Sequence, residues 1–285
     1  MKLRRLIKQN ARRALQRHWS RAAAIALVAL IFCFLFVTLE MLLSAVFGLP
    51  QYVDPFATPE IYLDDLPNVS PVAMAVSMSV AALYFLVLSP LSMGVMRWFF
   101  LLGDGKAEPT GAIFEYFLSA AQFWRVLWLQ ICLLVKRLLW SVAFLAPPVT
   151  LIYFADLWRL KGDTDLESVL SFGMMLSGVL LLVLLGGFLL IWLMRYSLAE
   201  YALISDGDLT ARGAIRQSVH LSRGRLTELL VLELSLLGWR MLDLLILPRL
   251  FTLPYRYTVK GLYAHYLIEV AMRGPDVEAQ EPSKQ

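Results

Sequence analysis

The chain is poor in the residues that build metal centres, disulfide frameworks and hydrated surfaces. Its 285 residues include two cysteines and three histidines, and only 17% are charged. Cys33 and Cys132 both lie in apolar runs, which is typical of buried, unpaired thiols. They cannot supply a four-ligand zinc site or a disulfide framework, so we expect neither a metal nor a cofactor.

Recognisable enzyme motifs are also missing. Gly103–Lys106 lacks the upstream glycine and the final hydroxyl residue of a phosphate-binding loop. No serine-hydrolase or zinc-hydrolase pattern occurs, and the histidines and cysteines do not cluster along the sequence. We therefore expect a protein that is not an enzyme.

What the chain has instead is long apolar runs. Apolar residues make up 59% of the sequence, against about 45–50% in soluble proteins. Residues 66–96, 168–194 and 22–39 carry no charge over 31, 27 and 18 positions. A transmembrane helix needs about 20 such residues, so the sequence predicts a protein that crosses a membrane several times.

The expected architecture is an all-α, polytopic bundle of about six transmembrane helices, forming a single integral membrane domain over 1–272. The predicted spans are about 22–47, 71–96, 124–154, 169–196, 226–247 and 254–272. Four ionisable residues interrupt the last span, so whether it crosses the bilayer stays open. Residues 273–285 are polar and are predicted to form a disordered tail.

The basic residues predict the orientation. With the N-terminus inside, the inner segments hold 18 lysines and arginines and the outer segments hold four. Basic residues concentrate on the cytoplasmic side of membrane proteins, so both termini are expected in the cytoplasm. Because the positive charge follows this rule, we do not expect a nucleic-acid partner.

The third span has two alternatives. Lys136 and Arg137 divide its apolar run, so that either the span is long and encloses them or it begins at 138 and they lie at its cytoplasmic mouth. The absence of a polar face before Lys136 favours the long span. Pro147 and Pro148 are predicted to break or kink the outer end.

The first 21 residues hold eight basic residues and no acid, and they predict an amphipathic helix. Its apolar stripe consists of Leu3, Leu6, Ile7, Ala11, Ala14, Leu15 and Trp19. A basic helix of this kind lies in the membrane interface, with its stripe among acyl chains. Arg12 and Arg13 are then candidates to contact anionic lipid headgroups of the inner leaflet.

A second basic amphipathic helix is predicted within 208–225, with Asp208 or Thr210 as its cap. Small and apolar residues form one stripe, namely Ala214, Ile215, Ser218, Val219 and Ser222. The other faces carry Arg212, Arg216, Arg223 and Arg225. Arginine binds phosphate through bidentate hydrogen bonds, so these four are candidate phosphate or lipid-headgroup residues. Alternatively, they form a basic surface that faces ordinary anionic lipid.

Ionisable residues inside spans are costly and are candidates for function. The predicted intramembrane set is Glu40, Lys136, Arg137, Glu233, Arg240 and Asp243. We expect Arg240 to pair with Asp243 or Glu40, and Lys136 or Arg137 to pair with Glu233. Such pairs can fix helix packing, line a polar pathway, or belong to side chains that extend to the interface.

Small residues recur along the fourth span and permit close helix approach. They are Gly173, Ser177, Gly178, Gly186 and Gly187. Packing within the chain and a homodimer seam both agree with this pattern.

Several of these segments resemble a known family. Ile7–Trp19 is similar to the opening of the bacterial integral-membrane domain of unknown function 975, and 196–263 resembles that family more strongly. The positions that match include Ser235, Gly238 and Trp239, followed by Pro254 and Tyr255. Ala146–Pro148 departs from the family's Ile-Pro-Gly, and the loop 155–168 is longer and more charged.

The resemblance implies a multi-pass protein of the bacterial cytoplasmic membrane. The same arrangement is similar to the membrane domain beside some glycerophosphodiester phosphodiesterases, whose catalysis belongs to a separate barrel domain. We therefore expect a non-enzymatic scaffold or accessory protein that binds anionic lipid or a membrane-protein partner. The alternative is a small transporter or lipid-handling protein with a charged cavity.

Overall fold

The computed structural model describes residues 2–47, 71–161, 165–243 and 245–273. Within these ranges the chain is almost entirely helical and contains no strand, as the all-α prediction requires. The predicted tail lies outside the described residues, apart from Arg273, which ends the last helix.

The described residues form eleven α-helices. In chain order they are α1 Lys2–Gln16, α2 Trp19–Phe47, α3 Pro71–Gly103, α4 Glu115–Leu118, α5 Ala120–Lys161, α6 Asp165–Leu193, α7 Ala199–Ser205, α8 Ala211–Leu221, α9 Leu226–Ser235, α10 Leu237–Leu242 and α11 Ile246–Arg273. Short 3₁₀ turns at Thr110–Phe114 and Met194–Tyr196 precede α4 and follow α6.

Four stretches of helix are long and apolar enough to cross a membrane. They are Trp19–Phe47, Met74–Gly103, Ala120–Leu160 and Leu166–Ser205. They overlap the first four predicted spans, so the chain has the helices of a membrane protein. The count of about six spans is not confirmed.

The predicted fifth span is wrong as one continuous helix. The segment is divided into α9 and α10, with Leu236 between them, and α10 ends at Leu242. At the first break the Ser235 hydroxyl donates to the Leu232 carbonyl at 2.6 Å, and the Leu236 amide donates to both the Leu232 and Glu233 carbonyls.

The sixth predicted span lies within α11, a helix of 28 residues that begins eight residues earlier than predicted. It passes through Pro254 without a break. Its residues Thr258, Val259 and Tyr263 are buried by protein.

Helix α5 runs for 42 residues and continues through Pro147 and Pro148, so the predicted break there does not occur. At 1.5 Å per residue it is about 63 Å long, roughly twice the thickness of a bilayer's hydrocarbon core.

The chain forms two compact units. Unit 1 comprises the described residues within 1–127 and 239–262, and unit 2 comprises those within 128–238 and 263–273. In unit 1, α1 departs from the prediction. Ile7, Ala11 and Leu15, at the centre of its stripe, are buried by protein, whereas Leu6 is 55% exposed. The stripe packs mainly on the protein because α2 and α3 offer it an apolar surface.

An ion-pair cluster lies near the C-terminal end of α3 in unit 1. The Arg97 guanidinium donates to both carboxylate oxygens of Glu108, at 2.8 and 3.1 Å, and also pairs with Glu115. The Trp98 indole N–H donates to the Glu108 carbonyl at 3.0 Å. Burial raises the pKa of the Tyr116 phenol to about 12, so this neighbour stays neutral.

A close backbone approach accompanies this cluster. A Cβ atom built on Gly94 of α3 would overlap the carbonyl group of Ile113, with 2.7 Å to the carbonyl carbon. Ile113 lies in the 3₁₀ turn Thr110–Phe114 and is 1% exposed. Only glycine at position 94 lets this turn pack against α3.

In unit 2, α5 and α6 pack against each other as an antiparallel hairpin. Ring centroids of Trp140 and Trp192 lie 5.1 Å apart, and those of Phe144 and Phe188 lie 5.5 Å apart. Among the predicted small residues, a Cβ on Gly178 would contact Ile152. By contrast, Gly173, Gly186 and Gly187 have open space in the described structure. The homodimer stays a prediction.

Candidate functional site

Unit 2 contains a groove with an apolar side and a basic side, which we call the basic groove. It encloses about 900 Å³ and lies between α5, Tyr196 and α8. Its basic side chains are Lys136, Arg212, Arg216, His220 and Arg223. None of the described residues that line the groove is acidic.

The first wall is one face of α5. Its apolar residues are Trp128, Ile131, Val135 and Leu139, with Cys132 and Lys136 between them. Steps of three and four residues place all of these side chains on one side of a helix. The wall is therefore a strip of mainly apolar surface about three turns long.

The second wall is one face of α8, which has the same spacing, together with Arg223 from the turn after the helix. The residues that line the groove are Arg212, Ile215, Arg216, Val219, His220 and Arg223. The helix begins at the predicted cap, because the Thr210 hydroxyl accepts from the Gly213 amide at 3.1 Å. A capped N-terminus fixes the rotation of a short helix and so the direction of its arginines.

The opposite face of α8 holds the helix in place. Ala211, Ala214, Ser218 and Leu221 are buried. The Ser218 hydroxyl donates to the Arg195 carbonyl at 2.6 Å, which links α8 to the turn after α6. The small side chains thus let α8 approach the protein closely, while the long cations extend into the groove.

Aromatic residues lie beside the groove near the C-terminal end of α6. The Trp140 indole N–H donates to the Tyr196 hydroxyl at 3.1 Å, and the Lys136 ammonium lies 5.8 Å from the Tyr196 ring centroid. The Arg195 guanidinium lies 3.8 Å from the centroid of Trp192. Tryptophan, tyrosine and basic residues are enriched together where helices enter a membrane.

Three of the four predicted phosphate-binding arginines line the basic groove, namely Arg212, Arg216 and Arg223. Arg225 does not line it and is half-buried immediately before α9. The other two headgroup candidates belong to unit 1. There Arg12 lies 5.9 Å from the centroid of the Tyr255 ring, and Arg13 is exposed in the last turn of α1.

The predicted charge network is distributed over both units. In unit 1, Asp243 pairs with Arg256 and accepts a hydrogen bond from Thr252. Among the described residues Asp243 has no ion pair with Arg240, which is exposed, as is Glu40. The predicted partner was wrong, because Asp243 pairs with a residue of α11, which helix spacing within the fifth segment could not show.

In unit 2, Lys136 lines the basic groove, while Arg137 is exposed and Glu233 is half-buried. The groove also includes residues that the sequence argument had not selected, His220 and Trp128 above all. The sequence spacing could have indicated His220, because it follows Arg216 by four residues and Arg212 by eight. That spacing extends the face of the arginines by one turn.

This arrangement suits an anionic, partly apolar molecule. Four side chains with permanent positive charge converge on one groove, and their mutual repulsion is relieved when an anion binds. The apolar residues of both walls can cover a hydrocarbon chain at the same time.

The family model described as "Protein of unknown function (DUF975)" matches residues 1–269. No curated protein and no solved structure matches the chain.

Proposed function

We propose that this chain, which belongs to the DUF975 family, is a non-enzymatic accessory or scaffold protein of a bacterial cytoplasmic membrane, and that it holds an anionic lipid in the basic groove. The observation that carries the proposal is the convergence of Arg212, Arg216 and Arg223 with Lys136 above an apolar wall. A lipid phosphate would lie among the cations, with its acyl chain along Trp128 and Ile131.

The volume and the charge both support this ligand class. A groove of about 900 Å³ lies near the upper end of the usual range for small-molecule sites. A charge-assisted hydrogen bond contributes about 1.5–3 kcal/mol, and guanidinium groups bind phosphate oxygens in pairs. A zwitterionic lipid would bring a cation into the same surroundings and would therefore bind more weakly.

The depth proposed for the groove is the inner membrane interface. Trp140, Trp192 and Tyr196 lie together beside Lys136, in the pattern of an aromatic belt. The charge-free part of α5 begins directly afterwards, at 138. This favours the alternative in which the third span begins near 138, and the preceding turns of α5 extend on the cytoplasmic side.

The first test is lipid binding to the protein in mild detergent, measured by native mass spectrometry. We expect phosphatidylglycerol to bind the unmodified protein at least tenfold more tightly than phosphatidylcholine. The double substitution Arg212→Gln/Arg216→Gln removes charge-assisted hydrogen bonds and should weaken phosphatidylglycerol binding by tenfold or more.

The matched control is Arg5→Gln/Arg17→Gln, which removes the same charge from exposed positions of the N-terminal segment. It should leave phosphatidylglycerol binding within about twofold. Equal losses in the two double variants would mean that the charge of the whole protein attracts lipid, and the proposed site would be abandoned. Flux of a solute across vesicles that hold the purified protein would favour the transporter alternative.

A further inference from the structure

Unit 1 contains a second cavity, which shares no residue with the basic groove. It encloses about 300 Å³ between α2, α3 and α11. Each helix contributes residues at helical spacing. They are Ala29 and Cys33 from α2, Phe85, Ser89 and Ser92 from α3, and Arg249, Leu253 and Tyr257 from α11.

Arg249 is the charged residue of this cavity. No acidic side chain is among the described residues that line it. No ion pair of Arg249 occurs within the described ranges, and its side chain is half-buried. A guanidinium among apolar side chains is costly unless an anion pairs with it, so this cavity has the charge complement of a monoanion.

The other side chains that line the cavity indicate the chemistry of the rest of the ligand. Phe85, Leu88, Leu91 and Leu253 provide an apolar lining. Hydroxyl groups of Ser89 and Ser92 lie on the same lining, and Ser92 donates to the Ser89 carbonyl at 2.8 Å. The cavity therefore combines one cationic group, a few hydroxyls and an apolar surface.

The volume limits the size of the ligand. At roughly 30 Å³ for each heavy atom, the share of a water molecule in the liquid, 300 Å³ holds about ten heavy atoms. A phospholipid with two acyl chains is far larger than this, whereas a short single chain fits.

We propose that the cavity of unit 1 binds a medium-chain fatty carboxylate of about eight to ten carbons, with its carboxylate on Arg249 and its chain along Phe85 and Leu88. Guanidinium and carboxylate match as a bidentate pair, which selects an acid over the corresponding alcohol. The site is independent of the lipid proposed for the basic groove.

Cys33 provides the readout, because it lines this cavity and the other cysteine lines the basic groove. In a Cys132→Ser background, the rate of Cys33 alkylation by N-ethylmaleimide is measured by intact-protein mass. Decanoate should slow this rate at least fivefold. Decanol, which has the same chain and no charge, should slow it less than twofold at equal concentration.

Arg249→Gln should abolish the difference between decanoate and decanol, and Arg249→Lys should retain part of it. The matched control Arg240→Gln removes an exposed arginine that does not line the cavity, and it should leave protection by decanoate unchanged. An alkylation rate without ligand that equals the parent's shows that each variant is folded.

Three outcomes would overturn the proposal. Equal protection by decanoate and decanol would mean an apolar cavity without selection for an acid. Full protection by decanoate in Arg249→Gln would place the anion elsewhere. Protection by neither compound would mean that the cavity binds no chain of this length. Hexanoate as an additional arm tests the need for a chain, and it should protect far less than decanoate.

The same alkylation measurement, made in the two single-cysteine variants, distinguishes this inference from the proposed function. Phosphatidylglycerol should slow alkylation of Cys132 in a Cys33→Ser variant and leave Cys33 in the Cys132→Ser variant unaffected. Failure at Cys132 concerns the basic groove alone, and failure at Cys33 concerns the carboxylate site alone.

Discussion

Gly94→Ala will lower the melting temperature of the purified protein by about 5–10 °C, which corresponds to a loss of about 2–3 kcal/mol. The added methyl group would overlap the carbonyl group of Ile113, and backbone cannot rotate away as a flexible side chain can. The turn Thr110–Phe114 would have to move. That movement would withdraw Ile113 from the core and disturb the contacts of Arg97 with Glu108 and Glu115. Thermal unfolding in detergent, followed by size-exclusion chromatography after heating, measures the effect.

Gly186→Ala is the matched control for this prediction. Gly186 also lies inside a long apolar helix, but no atom lies within 4 Å of a Cβ built there. Alanine is the better helix former, so the melting temperature of Gly186→Ala should stay level or rise slightly. If the melting temperature of Gly94→Ala equalled that of Gly186→Ala, the close approach of the turn Thr110–Phe114 to α3 would be refuted.

Breaking the Asp243–Arg256 pair will destabilise unit 1 by about 2–4 kcal/mol in either single variant, Asp243→Asn or Arg256→Gln. Both side chains are more than four-fifths buried, with 17% and 18% exposed, so removing one partner takes from the other a charge pairing that water replaces only in part. The double variant should lose clearly less than the sum of the two single losses, because each single variant already removes the same pairing. Unfolding midpoints in a titration with dodecyl sulfate give the three differences.

A surface pair in the same chain provides the comparison. Arg159 and Asp156 lie 2.9 Å apart, but their side chains are 63% and 49% exposed. Water screens such pairs, so Asp156→Asn should change stability by less than about 0.5 kcal/mol. Additive losses in the Asp243–Arg256 cycle would show that the two residues act separately, and the interaction would then carry no stability of its own.

The helices of the first four predicted spans could be predicted from one local property, the length of the runs without charge. Such a run can be predicted to form a transmembrane helix whatever packs beside it, because a helix satisfies its own backbone hydrogen bonds. The fifth segment shows the limit of this reasoning. Its composition is apolar enough for a span, yet it forms two short helices, α9 and α10, with Leu236 between them.

Part of the candidate site could also be predicted from a local property, the spacing of residues along one helix. The spacing of Arg212 and Arg216 indicated a basic face on one helix, and the Thr210 cap of that helix is confirmed. Arg223 joins this face from the turn after the helix. The stripe predicted for α1 shows the reverse case. Its spacing indicated an amphipathic helix correctly, but not that Ile7, Ala11 and Leu15 would be covered by protein. A periodic pattern reveals which face is apolar and says nothing about what covers it.

The sequence by itself determined that this is a helical chain with helices for a membrane and an excess of positive charge around them, because those properties depend on composition and local spacing. Only the tertiary structure decided that Lys136 of α5 joins the arginines of α8, that Asp243 pairs with Arg256, and that Arg249 lies in the cavity with Cys33. Each of these contacts joins residues from different helices. Their partners follow from how the chain turns between the helices, and that is a property of the packed molecule.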